Sequence, residues 1–166
     1  LVRRAFLNNA GLGLDAEVVK TMARRFRVPG RTLRYLIAVI ATLASFRNRH
    51  VEFSLDGELH SQKVCMLGAN NFKYLAAGML FAPGADHRDG LLDVVTIGDL
   101  SKPNLLWTLP KVYSGKHLTH PKVTVHKAKK VEIKSGDGTS IEVDGELVGE
   151  PPARFYVLPG ALKVII

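Results

Sequence analysis

Residues 141–148 read IEVDGELV, which sets the carboxylates of Asp144 and Glu146 on either side of a glycine. Alternation with period two puts Glu142, Asp144 and Glu146 on one strand face, and the glycine lets the backbone bend or another group approach closely. Phosphoryl transfer to an alcohol needs a carboxylate able to take the proton of the attacking hydroxyl. A second carboxylate can orient the acceptor or hold a metal ion. A plain turn is the alternative. Asp-Gly occurs four times, at 56–57, 89–90, 137–138 and 144–145, and both residues of the pair accept the positive φ that tight hairpins demand.

A second acidic group lies in ADHRDGLLD, where Asp86, Asp89 and Asp93 fall within one short loop. Hard cations such as Mg2+ or Ca2+ take several carboxylate and carbonyl oxygens, so this is a candidate cation site; a solvated acidic turn before a strand would look the same, and the spacing is not that of an EF-hand. GDGT at 136–139 imitates a phosphate-cradling glycine loop. Such a loop opens a helix, whereas the SIEV that follows is patterned as a strand, so a hairpin turn is expected. His117, His120 and His126 have no cysteine or carboxylate at metal-ligand spacing, which argues against zinc.

The elements that must hold these residues follow from periodicity. RRAFLNN reads as a short strand, and Asp15 to Phe26 carries Val18, Val19, Met22 and Ala23 at helical spacing up to the break at VPGR. Thr32 to Phe46 is a second helix, whose Leu33, Leu36, Ile37, Val39, Ile40, Leu43 and Ala44 cover most of its surface and are expected in the core. The period then becomes two: Val51, Phe53 and Leu55 alternate with Glu52 and Ser54 ahead of a hairpin turn at Asp56-Gly57. LFAPGADHRDGLLDVVTIGDL supplies two short strands around a polar loop, and SKPNLLWTLPKVYSG a short helix capped by Ser101 and limited by Pro110. Val123, Val125, Val131 and Ile133 are expected on one strand face, with a turn at 136–138 and a return through Ile141 and Val143, opposite Glu142 and Asp144. RFYVLP and ALKVII are closing strands. The fold class is mainly β with α insertions, a β-sandwich-like unit spanning residues 1–166 as one domain.

Composition narrows the partners. Lysine and arginine number 23 against 15 acids, and the formal charge of +8 favours phosphates, nucleic acid or an acidic membrane surface without choosing among them. The basic residues look scattered and lack interleaved exposed aromatics, so nucleic acid is not expected. Cys65 is the one cysteine and sits in an apolar run, which fits a buried thiol in a reducing, cytoplasmic setting. The longest apolar stretch, Leu36 to Phe46, falls short of the roughly 20 residues that span a bilayer. The first residues lack a signal-peptide pattern and an initiating methionine, so the chain is expected to be the middle of a longer protein.

RRAFLNNAGLGLDAEVV, GRTLRYLIAVIATL, GANNFKYLAAGMLFAPGADHRDGLLDVV, LPKVYSGKHLTHPKV and IEVDGELVGEPPARFYVLPGALKV, in that order, resemble the C-terminal part of bacterial diacylglycerol-kinase-like lipid kinases over nearly the whole chain. These kinases share a superfamily with sphingosine and ceramide kinases and, more distantly, NAD kinases. The resemblance implies the C-terminal β-sandwich lobe of a two-lobed enzyme whose N-terminal lobe, absent here, carries a Gly-Gly-Asp-Gly-Thr nucleotide motif; GDGT at 136 lies in the wrong half.

By the same resemblance Asp144 is the general base toward a lipid hydroxyl and Glu146 its partner. In sphingosine kinases an aspartate of the nucleotide lobe takes the base role, which would leave Asp144 to orient the acceptor or bind metal. Asp89, with the carbonyls of Leu91 and Asp86, is implied to bind Mg2+ away from the transferred phosphate. Asp15 matches an aspartate that contacts the lipid head group in sphingosine kinases. Gly78 lies where members often carry a richer glycine cluster than KYLAAGM, a departure that bears on substrate shape. The helix from Thr32 to Phe46 would line the acyl-chain cleft.

The implied cofactors are ATP and Mg2+. The implied partners are a diacylglycerol-like lipid, the absent nucleotide lobe and an anionic membrane surface, which makes the protein cytoplasmic and peripherally membrane-associated; a homodimer stays open. A non-catalytic lipid- or membrane-binding module and an NAD-kinase-like nucleotide kinase domain are the alternatives. The chain alone is expected to be inactive.

Overall fold

A computed structural model of the chain describes residues 3–23, 30–136 and 138–162. Strand β1 (Asn9–Gly13) leads into helix α1 (Leu14–Ala23), and α2 (Arg31–Ser45) follows. Next come the hairpin of β2 (Arg49–Leu55) and β3 (Glu58–Asn70), then the two-residue strands β4 (Tyr74–Leu75) and β5 (Met79–Leu80). β6 (Leu92–Gly98) and α3 (Lys102–Val112) precede β7 (Val123–Ala128) and β8 (Lys130–Gly136). β9 (Ile141–Val143), β10 (Glu146–Gly149) and β11 (Ala153–Tyr156) complete the set.

Nine of the strands form one antiparallel sheet with β3 as its trunk. The first half of β3 pairs with β2, from Glu58 opposite Leu55 to Val64 opposite Arg49. Its second half pairs with both β1 and β6, so that Asn9, Asn70 and Asp93 lie side by side at one end. β9 and β10 extend from β1, β7 extends from β6, and β8 and β11 extend from β2. The β3–β6 register shifts between Val64 and Met66, which divides the sheet into two leaves.

Apolar side chains of the two leaves meet in one core, with Leu12, Leu67, Val94 and Ile141 from the first and Phe53, Val131, Ile133 and Phe155 from the second. This is the sandwich-like, mainly β architecture expected from the strand count. Leu12, Phe53, Leu67 and Ile133 are almost wholly inaccessible, and each such burial contributes about 1.5–3 kcal/mol. The outer face of the first leaf carries the helices, where Val18, Val39, Leu43 and Leu105 pack on Met66, Val95 and Ile97.

The Asp56-Gly57 hairpin forms as expected, with both residues at positive φ (48° and 98°) between β2 and β3. Its carboxylate does more than tolerate the turn, because Asp56 accepts the backbone N–H groups of Lys129 (3.0 Å) and Lys130 (2.8 Å). That capture breaks the long Val123–Ile133 strand into β7 and β8, which pair with different neighbours and leave Val125 42% exposed instead of on a shared apolar face. An Asp56→Ala variant is expected to lose about 1–3 kcal/mol in chemical denaturation, from two freed N–H groups and an alanine held at positive φ. An unchanged midpoint would show that the bonds contribute nothing.

Other expectations need correction. The opening strand begins at Asn9 rather than Arg3, because the amides of Leu7 and Asn8 are taken by a side chain and not by a ladder. The turn at 136–138 is not a hairpin: β8 pairs with β2 and β11, whereas β9 pairs with β1 and β10. Thr139 N still donates to Gly136 O at 3.1 Å, while Asp137 lies outside the described residues.

Pro110 does not stop α3, which continues to Val112; it sits on the exposed side, where the carbonyl it leaves without a partner can face water. Ser101 is the N-cap, without a side-chain cap bond. α2 buries Ala38, Val39 and Leu43 but exposes Leu33 (51%) and Ile40 (57%), so only one of its faces is core. The helical pattern at 24–26, Val28 and Pro29 of VPGR and the last residues of ALKVII lie outside the described residues.

Candidate functional site

Asp144 and Gly145 are the turn between β9 and β10, with φ of 47° and 83°. Here too the carboxylate reaches across. Asp144 Oδ2 accepts the backbone N–H of Leu7 (2.7 Å), and Oδ1 accepts those of Asn8 (2.9 Å) and Asn9 (3.0 Å). The Asp144 N–H returns a bond to Asn9 O at 2.9 Å. Three donors occupy most of the lone-pair positions of a carboxylate and fix its orientation, while the residue stays exposed at the turn.

The difference between this turn and the one at Asp56 lies underneath it. Glu142, expected beside Asp144 on a polar strand face, is only 2% exposed. Its Oε2 accepts Gly145 N–H (2.8 Å) and its Oε1 accepts Asn9 Nδ2 (2.6 Å). Asp15, in the first turn of α1, accepts Ala16 N–H at Oδ1 (2.8 Å), while its Oδ2 has almost no contact with solvent and meets no N–H or O–H donor.

Glu142 is the neighbouring charge that acts on Asp15, and two carboxyls can bond each other only if one keeps its proton. Burial pushes Asp15 well above the usual carboxylate range, with the charge of Glu142 adding to the effect. Burial also raises Glu142, to about 7; the bonds from Gly145 and Asn9 oppose this and the Asp144 charge reinforces it. Both carboxyls of this buried pair therefore hold their protons more tightly than free ones do. The Tyr35 hydroxyl lies in the field of both acids and is pushed up by its own burial and by the Asp15 charge, so it stays protonated.

Glycine 11 makes the pairing sterically feasible. A Cβ there would lie 2.7 Å from Asp15 Oδ2 and 2.6 Å from Leu67 O, so any side chain on β1 at this point would push the α1 carboxylate away. Asp15, Glu142 and Asp144 are thus brought together by β1, β9 and the start of α1. Glu146 is not part of the cluster: it is exposed opposite Val143, and its side chain makes no hydrogen bond or ion pair among the described residues. Gly78 closes the β4–β5 turn after Ala77, with φ of 79° and 56°, and the space around it is open. The turn conformation accounts for that glycine.

The acidic loop sits two strands away, roughly 10 Å from Asn9 across β3 to Asp93. Lys127 of β7 reaches into it, 2.6 Å from Asp89 Oδ2, 3.5 Å from Asp93 Oδ2 and 3.5 Å from Gly84 O. The bond from Lys127, with the Leu91 N–H on Oδ1 (2.9 Å), holds Asp89 below the usual carboxylate range. Asp86 is exposed on the loop, its carbonyl accepting Asp89 N–H (3.1 Å) and its Oδ1 accepting Arg88 N–H (3.0 Å). Of the oxygen set implied for Mg2+, the Asp89 carboxylate is here bonded to the Lys127 ammonium and the Asp86 carbonyl to the Asp89 N–H. Among the described residues no group of three His, Cys, Asp or Glu side chains is placed to hold a metal.

A bifurcated antiparallel sheet with helices on one face, and carboxylates gathered where β1 and β9 meet, defines a β-sandwich-like lobe with an acidic site at a strand end. Residues 8–166 match the YegS C-terminal NAD kinase beta sandwich-like domain, and the chain belongs to that family. It is 31% identical over 165 residues to a diacylglycerol kinase of Mycobacterium tuberculosis, covering 99% of this chain and 53% of that protein. It is 26% identical over 161 residues to a diacylglycerol kinase of Staphylococcus carnosus, covering 97% and 53%. A crystal structure of a diacylglycerol kinase from Bacillus anthracis superposes with a TM-score of 0.60 at 19% identity, over 93% of this chain and 47% of that one, which shows the shared fold. The chain spans about half the length of the curated relatives it matches.

Proposed function

We propose that this chain is the acceptor-side lobe of an ATP-dependent lipid kinase that phosphorylates a diacylglycerol-like hydroxyl. The observation that supports this most is the exposed Asp144, clamped by three backbone N–H groups above the buried carboxyls of Asp15 and Glu142. In the proposed chemistry Asp144 turns its remaining lone pair toward the acceptor hydroxyl and takes its proton as the oxygen attacks the γ-phosphorus of ATP, the bond from that phosphorus to the bridging oxygen breaking and ADP leaving. The three N–H donors fix where that carboxylate points, and the pair behind it keeps the local charge lower than three free carboxylates would give. The exposed edge of α2 at Leu33 and Ile40 would lie along the acyl chains. ATP and its Mg2+ would be held by residues outside this chain and supply the phosphoryl group and its charge neutralisation. Glu146 is proposed only as a group near the entering head group.

The test is transfer of labelled phosphate from ATP to dioleoylglycerol by the full-length protein, with the 166-residue chain alone as the inactive control. Phosphatidic acid formation supports the proposal. Phosphorylation of NAD in place of the lipid, or of neither, overturns it. The pH profile of lipid phosphorylation is expected to fall on its acid side with an apparent pKa near 7, the value to which Glu142 is raised, because protonating Glu142 removes an acceptor from Gly145 or Asn9 and loosens the turn. A profile flat from about pH 6 to pH 8 would rule out that coupling.

A further inference from the structure

The net charge of +8 conceals a strong polarity. Residues 18–51 hold eight of the lysines and arginines and residues 101–130 hold seven more, while neither segment contains any of the chain's 15 acids. The other residues carry eight cations against all of those acids. Of the first group α2 itself carries Arg31 and Arg34, whereas Lys102, Lys111 and Lys116 of the second lie on α3 or just after it.

These helices are neighbours. Lys102, at the start of α3, donates to Ala44 O near the end of α2, and Tyr113, just past the end of α3, lies close enough to Tyr35 of α2 to influence its hydroxyl. α3 leaves Leu106 (49%), Trp107 (74%) and Tyr113 (39%) exposed. The Lys111 ammonium stands 5.6 Å from the centre of the Trp107 ring, with Lys102 and Lys116 at either end of the same stretch.

Lysine is depleted from protein–protein interfaces, whereas exposed Trp, Tyr and Leu rimmed by lysines are what the boundary of an anionic bilayer selects. We propose that the face formed by α2 and α3 docks on an anionic lipid bilayer, with Trp107 and Leu106 entering the headgroup region and Lys102, Lys111 and Lys116 against lipid phosphates. No described helix is long and apolar enough to cross a membrane, so this contact is peripheral. The proposal deepens the lipid-kinase reading by supplying a route to the acceptor, and it rests on residues separate from the acidic site.

Trp107 is the chain's one tryptophan, so its fluorescence reports this face alone. Mixed with vesicles of phosphatidylglycerol and phosphatidylcholine in equal parts, the chain is expected to shift its emission to the blue, to be quenched by brominated lipid, and to lose both effects in high salt. Replacing Lys102, Lys111 and Lys116 together by Gln should weaken vesicle sedimentation on the order of a hundredfold, since each basic residue near such a surface contributes about 1 kcal/mol. Lys73→Gln with Lys134→Gln should change it little.

Sedimentation with the emission unmoved, or equal sedimentation of the triple variant, overturns the proposal. So does a concentration-dependent blue shift without vesicles, which would mean that a second copy covers the face, or binding to duplex DNA that matches binding to vesicles. Lipid phosphorylation by the full-length protein in neutral detergent micelles separates this from the function itself. Activity there without vesicle docking would remove the docking face and leave the kinase, and docking without activity would do the reverse.

Discussion

Glu142→Gln is expected to flatten the dependence of stability on pH near neutrality. Burial raises both Asp15 and Glu142, so the folded chain holds their protons more tightly than the unfolded chain does. The stability this contributes is complete below the ordinary carboxylate range and is lost as pH climbs through about 7, where Glu142 ionises. For Glu142 alone the shift from 4.5 to about 7 corresponds to roughly 3 kcal/mol. Urea denaturation of the wild-type chain should therefore give a falling midpoint between about pH 5 and pH 8.

Glutamine keeps an oxygen for Gly145 N–H and, with the Asn9 amide turned over, a donor for its oxygen, so the variant should fold and show a much shallower slope. Asp15→Asn added to it should remove the rest of what the pair contributes, leaving the effects of His117, held low by burial, and of Asp93, raised by burial, which are the same in wild type and variants. Asp89, Asp99 and Glu132 shift the opposite way and act only in acid, so they do not confuse this window. Equal slopes in wild type and variant would exclude a buried pair that holds its protons this tightly.

The larger effect on turnover is expected at Asp144, and Asp56 is its internal control. Both are Asp-Gly turns at positive φ whose carboxylates accept backbone N–H groups from another segment. Asp144→Asn keeps a residue that accepts the turn but gives up one oxygen, and should cost about 1–2 kcal/mol; Asp144→Ala also strains the turn and should cost about 2–4 kcal/mol. Loss of a general base should in addition lower lipid phosphorylation by about a hundredfold to ten-thousandfold at temperatures where the variant is fully folded. Asp56→Asn should lose comparable stability and keep full activity. If the two asparagine variants are equally active, Asp144 is a fastener and nothing more.

That comparison marks where sequence reasoning carried and where it stopped. Local signals sufficed for the β2–β3 hairpin and for the helices, since each depends on neighbours within a few residues, whereas Asp144 stood out from the other Asp-Gly pairs only through the family resemblance. The same Asp-Gly signal at 137–138 did not mark a hairpin, because the partner of a strand is chosen by tertiary packing: Ile141 and Val143 are buried alongside Ala10 and Leu12 of β1, not against β8. Glu142 looked like an ordinary solvent-side residue by alternation. Its burial depends on α1 folding back over β1, and the nearest clue in the sequence was Gly11 four positions before Asp15. Lys127 was likewise out of reach, as only the β6–β7 pairing brings it to the acidic loop. The basic polarity could have been counted directly, but the overall +8 averaged it away.

β3 is shared by both leaves, and its role as trunk has a mechanical consequence. Each leaf takes part of its ladder from the same strand, so neither can swing against the other without breaking hydrogen bonds in both cores. The sheet should behave as one stiff plate. Any opening needed to admit a lipid or release a product would then have to come from the helices lying on that plate or from whatever adjoins it.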